Sequence, residues 1–113
     1  MNLKEYGDQA ITTMTSAQSY GDISPQFMDQ ILGLVGETSE VAEKMKKIIR
    51  DKKGVISPED RTEIIKELGD ILWYVNSVAQ MLDSSFEEVA TKNLEKVLSR
   101  KARGTLHGSG DNR

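Results

Sequence analysis

The sequence predicts an all-α fold: an up-and-down antiparallel bundle of about four helices, completed by oligomerisation. Three observations predict it. Apolar residues recur at steps of three and four over long stretches. The period-two alternation of β-branched residues that marks strands is absent. Only two prolines occur, Pro25 and Pro58, and each follows a serine. Ser-Pro reads as a helix start, with serine at the N-cap and proline in the first turn.

The first helix is expected from Leu3 to Tyr20, on the spacing of Leu3, Tyr6, Ala10, Thr13/Met14 and Ala17, with Gly21 ending it. The second starts at Pro25 and runs to about Arg50. Its stripe is Phe27/Met28, Ile31, Leu34/Val35, Val41, Met45 and Ile48/Ile49, and basic residues near its end suit the helix dipole. Residues 51–57 form a loop around Gly54. The third helix runs from Pro58 to about Leu82 on Ile64/Ile65, Leu68, Ile71/Leu72, Val75, Val78/Ala79 and Leu82. A turn at Asp83, Ser84 and Ser85 leads to the fourth, Phe86 to Arg103. Residues 103–113 are expected to be an irregular, Gly-rich tail. The whole chain reads as one domain, and short connections predict antiparallel neighbours. Four helices of which two are this long make a thin bundle, and such stripes also bury surface against a second subunit.

Composition narrows the chemistry. The 113 residues contain no cysteine, which removes disulfides, thiol catalysis and Cys-ligated metal. His107 is the one histidine, so Ser-His-Asp catalysis and His-rich metal sites are disfavoured. Apolar runs are too short to span a membrane, and the N-terminus lacks the apolar core of a signal peptide, so a cytoplasmic protein is expected. Residues 1–91 hold nine Lys+Arg against sixteen Asp+Glu, whereas residues 92–113 hold six against two. An acidic body with a basic end is a poor nucleic-acid-binding profile. It suits a metal-binding body with cations at hand for an anion.

The acids are patterned. Glu37-x-x-Glu40 lies on the second helix and Glu67-x-x-Asp70 on the third. A three-residue step turns about 300° and rises about 4.5 Å, so each pair shares a face. At about 100° per residue, Glu37 and Glu40 lie near −60° and −120° from Leu34, and Glu67 and Asp70 near −100° and −160° from Leu68. Both pairs flank their stripes on the same rotational side, which an antiparallel pairing brings together. Glu37 is as far from the loop midpoint at Lys53/Gly54 as Asp70, and Glu40 as far as Glu67. Four carboxylates are therefore expected to converge, an arrangement unfavourable without a cation. Oxygen donors without His or Cys suit a hard ion, Mg²⁺ or alternatively Mn²⁺.

On the fourth helix Asn93, Lys96 and Arg100 share a face, and the turn near Ser84 levels them with the acids. Mg²⁺ beside Lys and Arg is an arrangement for polyphosphate. Gly33, Gly36 and Gly69 lie near the acids, where small residues let helices or substrate approach. Tyr74 falls on the carboxylate side, placed either to touch a nucleotide or to pack in the core. Trp73 points away, toward a packing or subunit-interface role. The run Lys44, Lys46, Lys47, Arg50, Lys52, Lys53 reads as a solvated helix end, and His107 as a tail residue. Gly108-Ser109-Gly110 lacks the strand and the Gly-Lys-Ser/Thr of a P-loop.

These residues resemble the MazG-like nucleotide pyrophosphohydrolases of the all-α NTP pyrophosphatase superfamily. The signature Glu-x-x-Glu, spacer, Glu-x-x-Asp stands here as GETSEVAEKMKK, a 26-residue spacer from Glu40 to Glu67, and KELGDILWYV. The likeness continues through NLEKVLSR and GTLHGSGDNR, covering about residues 27–113. The resemblance implies Mg²⁺-dependent hydrolysis of a nucleoside triphosphate, ribose or deoxyribose, to the monophosphate and pyrophosphate. It implies Glu37, Glu40, Glu67 and Asp70 as metal ligands, and Asn93, Lys96 and Arg100 as phosphate ligands. Glu37 or Glu40 would orient or deprotonate the attacking water. It also implies a homodimer or homotetramer. Two rivals stand beside it: phosphoribosyl-ATP pyrophosphohydrolase, which shares the acid pattern, and a non-catalytic helical oligomerisation module whose acids only solvate it.

Overall fold

The computed structural model describes residues 1–16 and 19–113. Among these, four helices and no strands are present: α1 (Leu3–Ile11), α2 (Pro25–Lys52), α3 (Pro58–Met81) and α4 (Phe86–Ala102). The all-α expectation is met, and three of the four helices fall within two residues of their expected ends.

Local chemistry sets the starts. Ser24 and Ser57 are N-caps with proline in the following turn, accepting from the N–H groups of Phe27 and Asp60. At Ser57 the cap is reciprocal, because the Asp60 carboxylate accepts the Ser57 N–H. Asn2 and Glu5 make the same box at α1, and Ser85 caps α4 through the Glu88 N–H. α2 stops where Lys53 turns left-handed at φ 52° and the Gly54 N–H reaches back to the Ile48 carbonyl.

The first helix is shorter than expected, ending at Ile11 rather than Tyr20. The Thr12 and Thr13 hydroxyls donate to the carbonyls of Gln9 and Ala10, so these threonines turn the chain where a regular helix was expected to continue. Ala17, which had extended the expected stripe, lies outside the described residues. Among the described residues α1 packs on no other helix, and a nine-residue helix without a partner has little to sustain it.

The body is the α2/α3 hairpin, with α4 packed on α3 and not on α2. Its antiparallel register is fixed by cross-helix contacts: Ser77 Oγ donates to Gln30 Oε1 at 2.6 Å, Tyr74 lies over Gly33, and Lys52 Nζ meets Asp60 Oδ1 at 2.8 Å. The least exposed positions of α2 repeat every seven residues in two rows. One row is apolar, Phe27, Leu34, Val41 and Ile48. The other is polar, Gln30, Glu37 and Lys44. On α3 the apolar row is Ile64, Ile71 and Val78, and the second row is Asp60, Glu67 and Tyr74. A seven-residue repeat is the signature of helices packed as a left-handed coil. Here half of the seam is apolar and half carries chemistry.

Burial inside the chain is slight. Among the described residues Ile48 and Ala79 are the buried apolar ones, whereas Leu32, Val35, Leu72, Leu94 and Leu98 are each more than half exposed. The expected bundle is thus not closed by the four helices of one chain. No helix among the described residues is long and apolar enough to cross a membrane.

Candidate metal centre

The polar row of the hairpin carries the acids. Glu37 and Glu67 occupy equivalent seam positions, both partly buried, and Asp70 follows one turn along α3 on the exposed flank. Glu37, Glu67 and Asp70 each bring a carboxylate oxygen within 4.8 Å of the others. Three of the four expected carboxylates therefore meet. Glu40 is not in this group and is exposed. The reason is rotational: the seam runs between the apolar and polar rows, so Glu37 lies on it and Glu40 is turned about 60° further outward. Glu40 remains close enough for its charge to act on Glu37.

The group is electrostatically strained. Burial raises the Glu37 carboxyl above its ordinary value, and a hydrogen bond with Glu67 and the charges of Asp70, Glu40 and Glu67 push it the same way. The cation beside the cluster is Lys44, whose Nζ lies 3.7 Å from Glu67 Oε1. Three carboxylate oxygens drawn this close, with a single lysine against one of them, are a candidate site for a divalent cation.

One cavity opens on the cluster and a second adjoins it at Trp73. The first, of about 360 Å³, is lined by Glu37, Asp70, Trp73 and Tyr74. The second, of about 450 Å³, is lined by Gln26, Gln30, Trp73, Asn76, Ser77, Gln80 and Met81. Trp73 borders both, which corrects its expected outward direction. Its indole, 60% exposed, meets the Tyr74 ring edge-on at 5.0 Å and 83°. The Tyr74 ring lies over Gly33, so the close approach expected at a glycine occurs there, whereas Gly36 and Gly69 face open space. The carboxamide lining of the second cavity was missed in the sequence, although Gln26, Gln30, Asn76 and Gln80 sit at steps of four on their helices.

The α4 residues are placed differently from expectation. Lys96 Nζ donates to Asp111 Oδ1 at 3.1 Å. The Arg100 guanidinium is buried and donates to both the main-chain oxygen and the carboxylate of Asp111. Neither cation is paired with Glu37, Glu67 or Asp70 among the described residues, and Asn93 is exposed. The basic run on α2 is partly engaged rather than wholly solvated: Lys44 meets Glu67, Lys52 meets Asp60, and Arg50 pairs with Asp51.

The chain is thus an all-α protein whose antiparallel hairpin gathers a candidate acidic metal site beside a cavity. The chain belongs to the MazG nucleotide pyrophosphohydrolase domain family, whose pattern matches residues 27–104 and so takes in the hairpin and α4. It is also 54% identical over 82 residues to the Gene 37 protein of Mycobacterium phage L5, a match covering 73% of this chain and 72% of that protein. No solved structure matches. Family membership points to nucleotide pyrophosphohydrolase activity in general.

Proposed function

We propose that this protein hydrolyses a nucleoside triphosphate at its α–β phosphoanhydride, with Mg²⁺, to the monophosphate and pyrophosphate. The observation that carries the reading is the meeting of Glu37, Glu67 and Asp70 within 4.8 Å on a chain of this family. These three carboxylates would hold the ion. Bound there, Mg²⁺ would polarise the α-phosphate and lower the pKa of a coordinated water. Glu40, outside the three-carboxylate group but close enough for its charge to act on Glu37, would orient that water and take its proton. Tyr74 and Trp73 line the cavity that opens from Glu37 and Asp70, where a nucleotide would lie. The carboxamides beyond Trp73 offer paired donors and acceptors to the sugar or base. Asn93, Lys96 and Arg100 would hold the phosphates.

A homodimer or homotetramer completes the fold in this reading. The exposed leucines of α2, α3 and α4 need a cover, and a second copy supplies an identical stripe.

The test is pyrophosphate release across a panel of canonical and modified NTPs and dNTPs, with phosphoribosyl-ATP included. The double variant Glu40→Gln, Asp70→Asn is expected to stay folded and lose Mg²⁺-dependent release. Full release from the folded variant would rule this site out. Turnover confined to phosphoribosyl-ATP would move the substrate assignment to that compound.

A further inference from the structure

The segment after α4 is a built loop. The Arg113 guanidinium donates to the carbonyls of Thr105, Leu106 and Gly110, closing residues 105–113 on themselves. Gly108 sits at φ 136°, and a Cβ there would come 3.3 Å from Arg113 Cδ. Arg103 Nη2 donates to the main-chain oxygen of Arg113, and Arg100 to that of Asp111, so the loop is tied to α4 at two points.

The side chains this loop gathers are Lys96, Arg100, Arg103 and Arg113 on one side of the charge balance and Asp111 alone on the other. One oxygen, Asp111 Oδ1, bridges Lys96 Nζ at 3.1 Å and Arg100 Nη2 at 3.4 Å, as a phosphate oxygen would. Arg100 is deep, its side chain 8% exposed, whereas Lys96 is 40% and Asp111 79% exposed. Two buried donors in the same stretch, Arg100 Nε and Thr105 Oγ1, have no hydrogen-bond partner among the described residues. Thr105 is held beside Arg100 by its N–H, which donates to the Arg100 carbonyl at 2.8 Å. Arg103 and Arg113 spend their donors on main-chain oxygens and Ser99, so the unmet capacity lies at Arg100 Nε and Thr105 Oγ1, next to the one carboxylate that Lys96 and Arg100 share.

We propose that the Asp111 carboxylate, held at the α4 end by the closing loop, is a displaceable stand-in for phosphate on the donors of Lys96 and Arg100. An incoming phosphate chain takes over Lys96 and the Arg100 donors, and Asp111, already facing solvent, swings out. The ligand class rests on the pyrophosphohydrolase reading above; the site itself rests on the geometry of the loop. Asp111 thereby sets how strongly the chain holds the phosphates of substrate or product.

The probe is inorganic pyrophosphate, titrated calorimetrically without divalent cation into the full chain and three variants. Asp111→Asn, which removes the competing charge, is expected to tighten binding about fivefold, and Lys96→Gln to weaken it by a similar factor. Asp111→Glu, which restores the competitor, is expected to bind as the parent does. Unchanged or weaker binding by a folded Asp111→Asn variant overturns the proposal. Should that variant unfold, the parent decides by NMR: pyrophosphate is expected to shift the Asp111 carboxylate carbon, and saturation of binding without that shift overturns it. Pyrophosphate binding that follows this pattern in a chain without nucleotide turnover would leave the site standing and defeat the catalytic reading alone.

Discussion

Gly33 and Tyr74 fit together across the α2/α3 hairpin: a Cβ at residue 33 would sit against the tyrosine ring, 2.8 Å from its hydroxyl oxygen and closer still to the ring carbons. The tyrosine can lie beside the acid cluster only because α2 presents bare backbone there. Gly33→Ala is therefore expected to lower Tm through overpacking of about 1–3 kcal/mol, against a helix-propensity gain of about 1 kcal/mol. Gly36→Ala meets open space and is expected to raise Tm on propensity alone. Parallel thermal melts check the contrast, and a fall with both variants would mean that residue 36 has a neighbour outside the chain.

Glu37 is held above its ordinary protonation range by burial, its bond with Glu67 and the surrounding carboxylates. Glu37→Gln removes one charge from that group, so the metal-free protein is expected to melt no lower than the parent. The parent should gain stability from Mg²⁺, about 2.7 kcal/mol at 100 times Kd, and the variant should lose most of that gain. Melts with and without Mg²⁺ decide it.

Asp60 gives a pH dependence remote from the acid cluster. The Lys52 ammonium, then the Ser57 N–H and hydroxyl, hold its carboxyl down at about 2. A carboxyl depressed by folding stabilises above its unfolded value and loses that contribution as pH falls through its folded value. Asp60→Asn is expected to lower Tm at neutral pH, with the difference from the parent shrinking below about pH 4 and closing near pH 2. A difference that stays constant across that range would contradict the assignment.

The exposed leucines predict self-association. Leu72 is 53% exposed on the hairpin, and Leu72→Glu puts a charge on that face. The parent is expected to sediment as a dimer or tetramer and the variant as a smaller species. An equal mass for both would place the interface elsewhere.

How much of this was legible in the sequence follows from range. The helix starts at Pro25 and Pro58 were legible because Ser-Pro caps act within four residues, and the hairpin register because a short loop sets it. The end of α1 was not, since apolar spacing cannot tell whether a partner helix exists to sustain it. Taking the apolar stripe as the centre of the contact put Glu37 on a flank. With a second, polar row completing the seam, Glu37 moves onto it and Glu40 off it. The same shift brings Trp73 to the cavity. Pairing of Lys96 and Arg100 with Asp111 joins residues 15 and 11 apart through an irregular loop, for which no periodicity exists to be read.

The most direct measurement of the central claim is pyrophosphate release from a panel of nucleoside triphosphates by the parent and by Glu67→Gln, with Mg²⁺ and with chelator. Release by the parent with Mg²⁺, abolished by chelator and reduced at least about 100-fold in a folded Glu67→Gln variant, is the predicted result. Equal release by both proteins, or release indifferent to chelator, would contradict it.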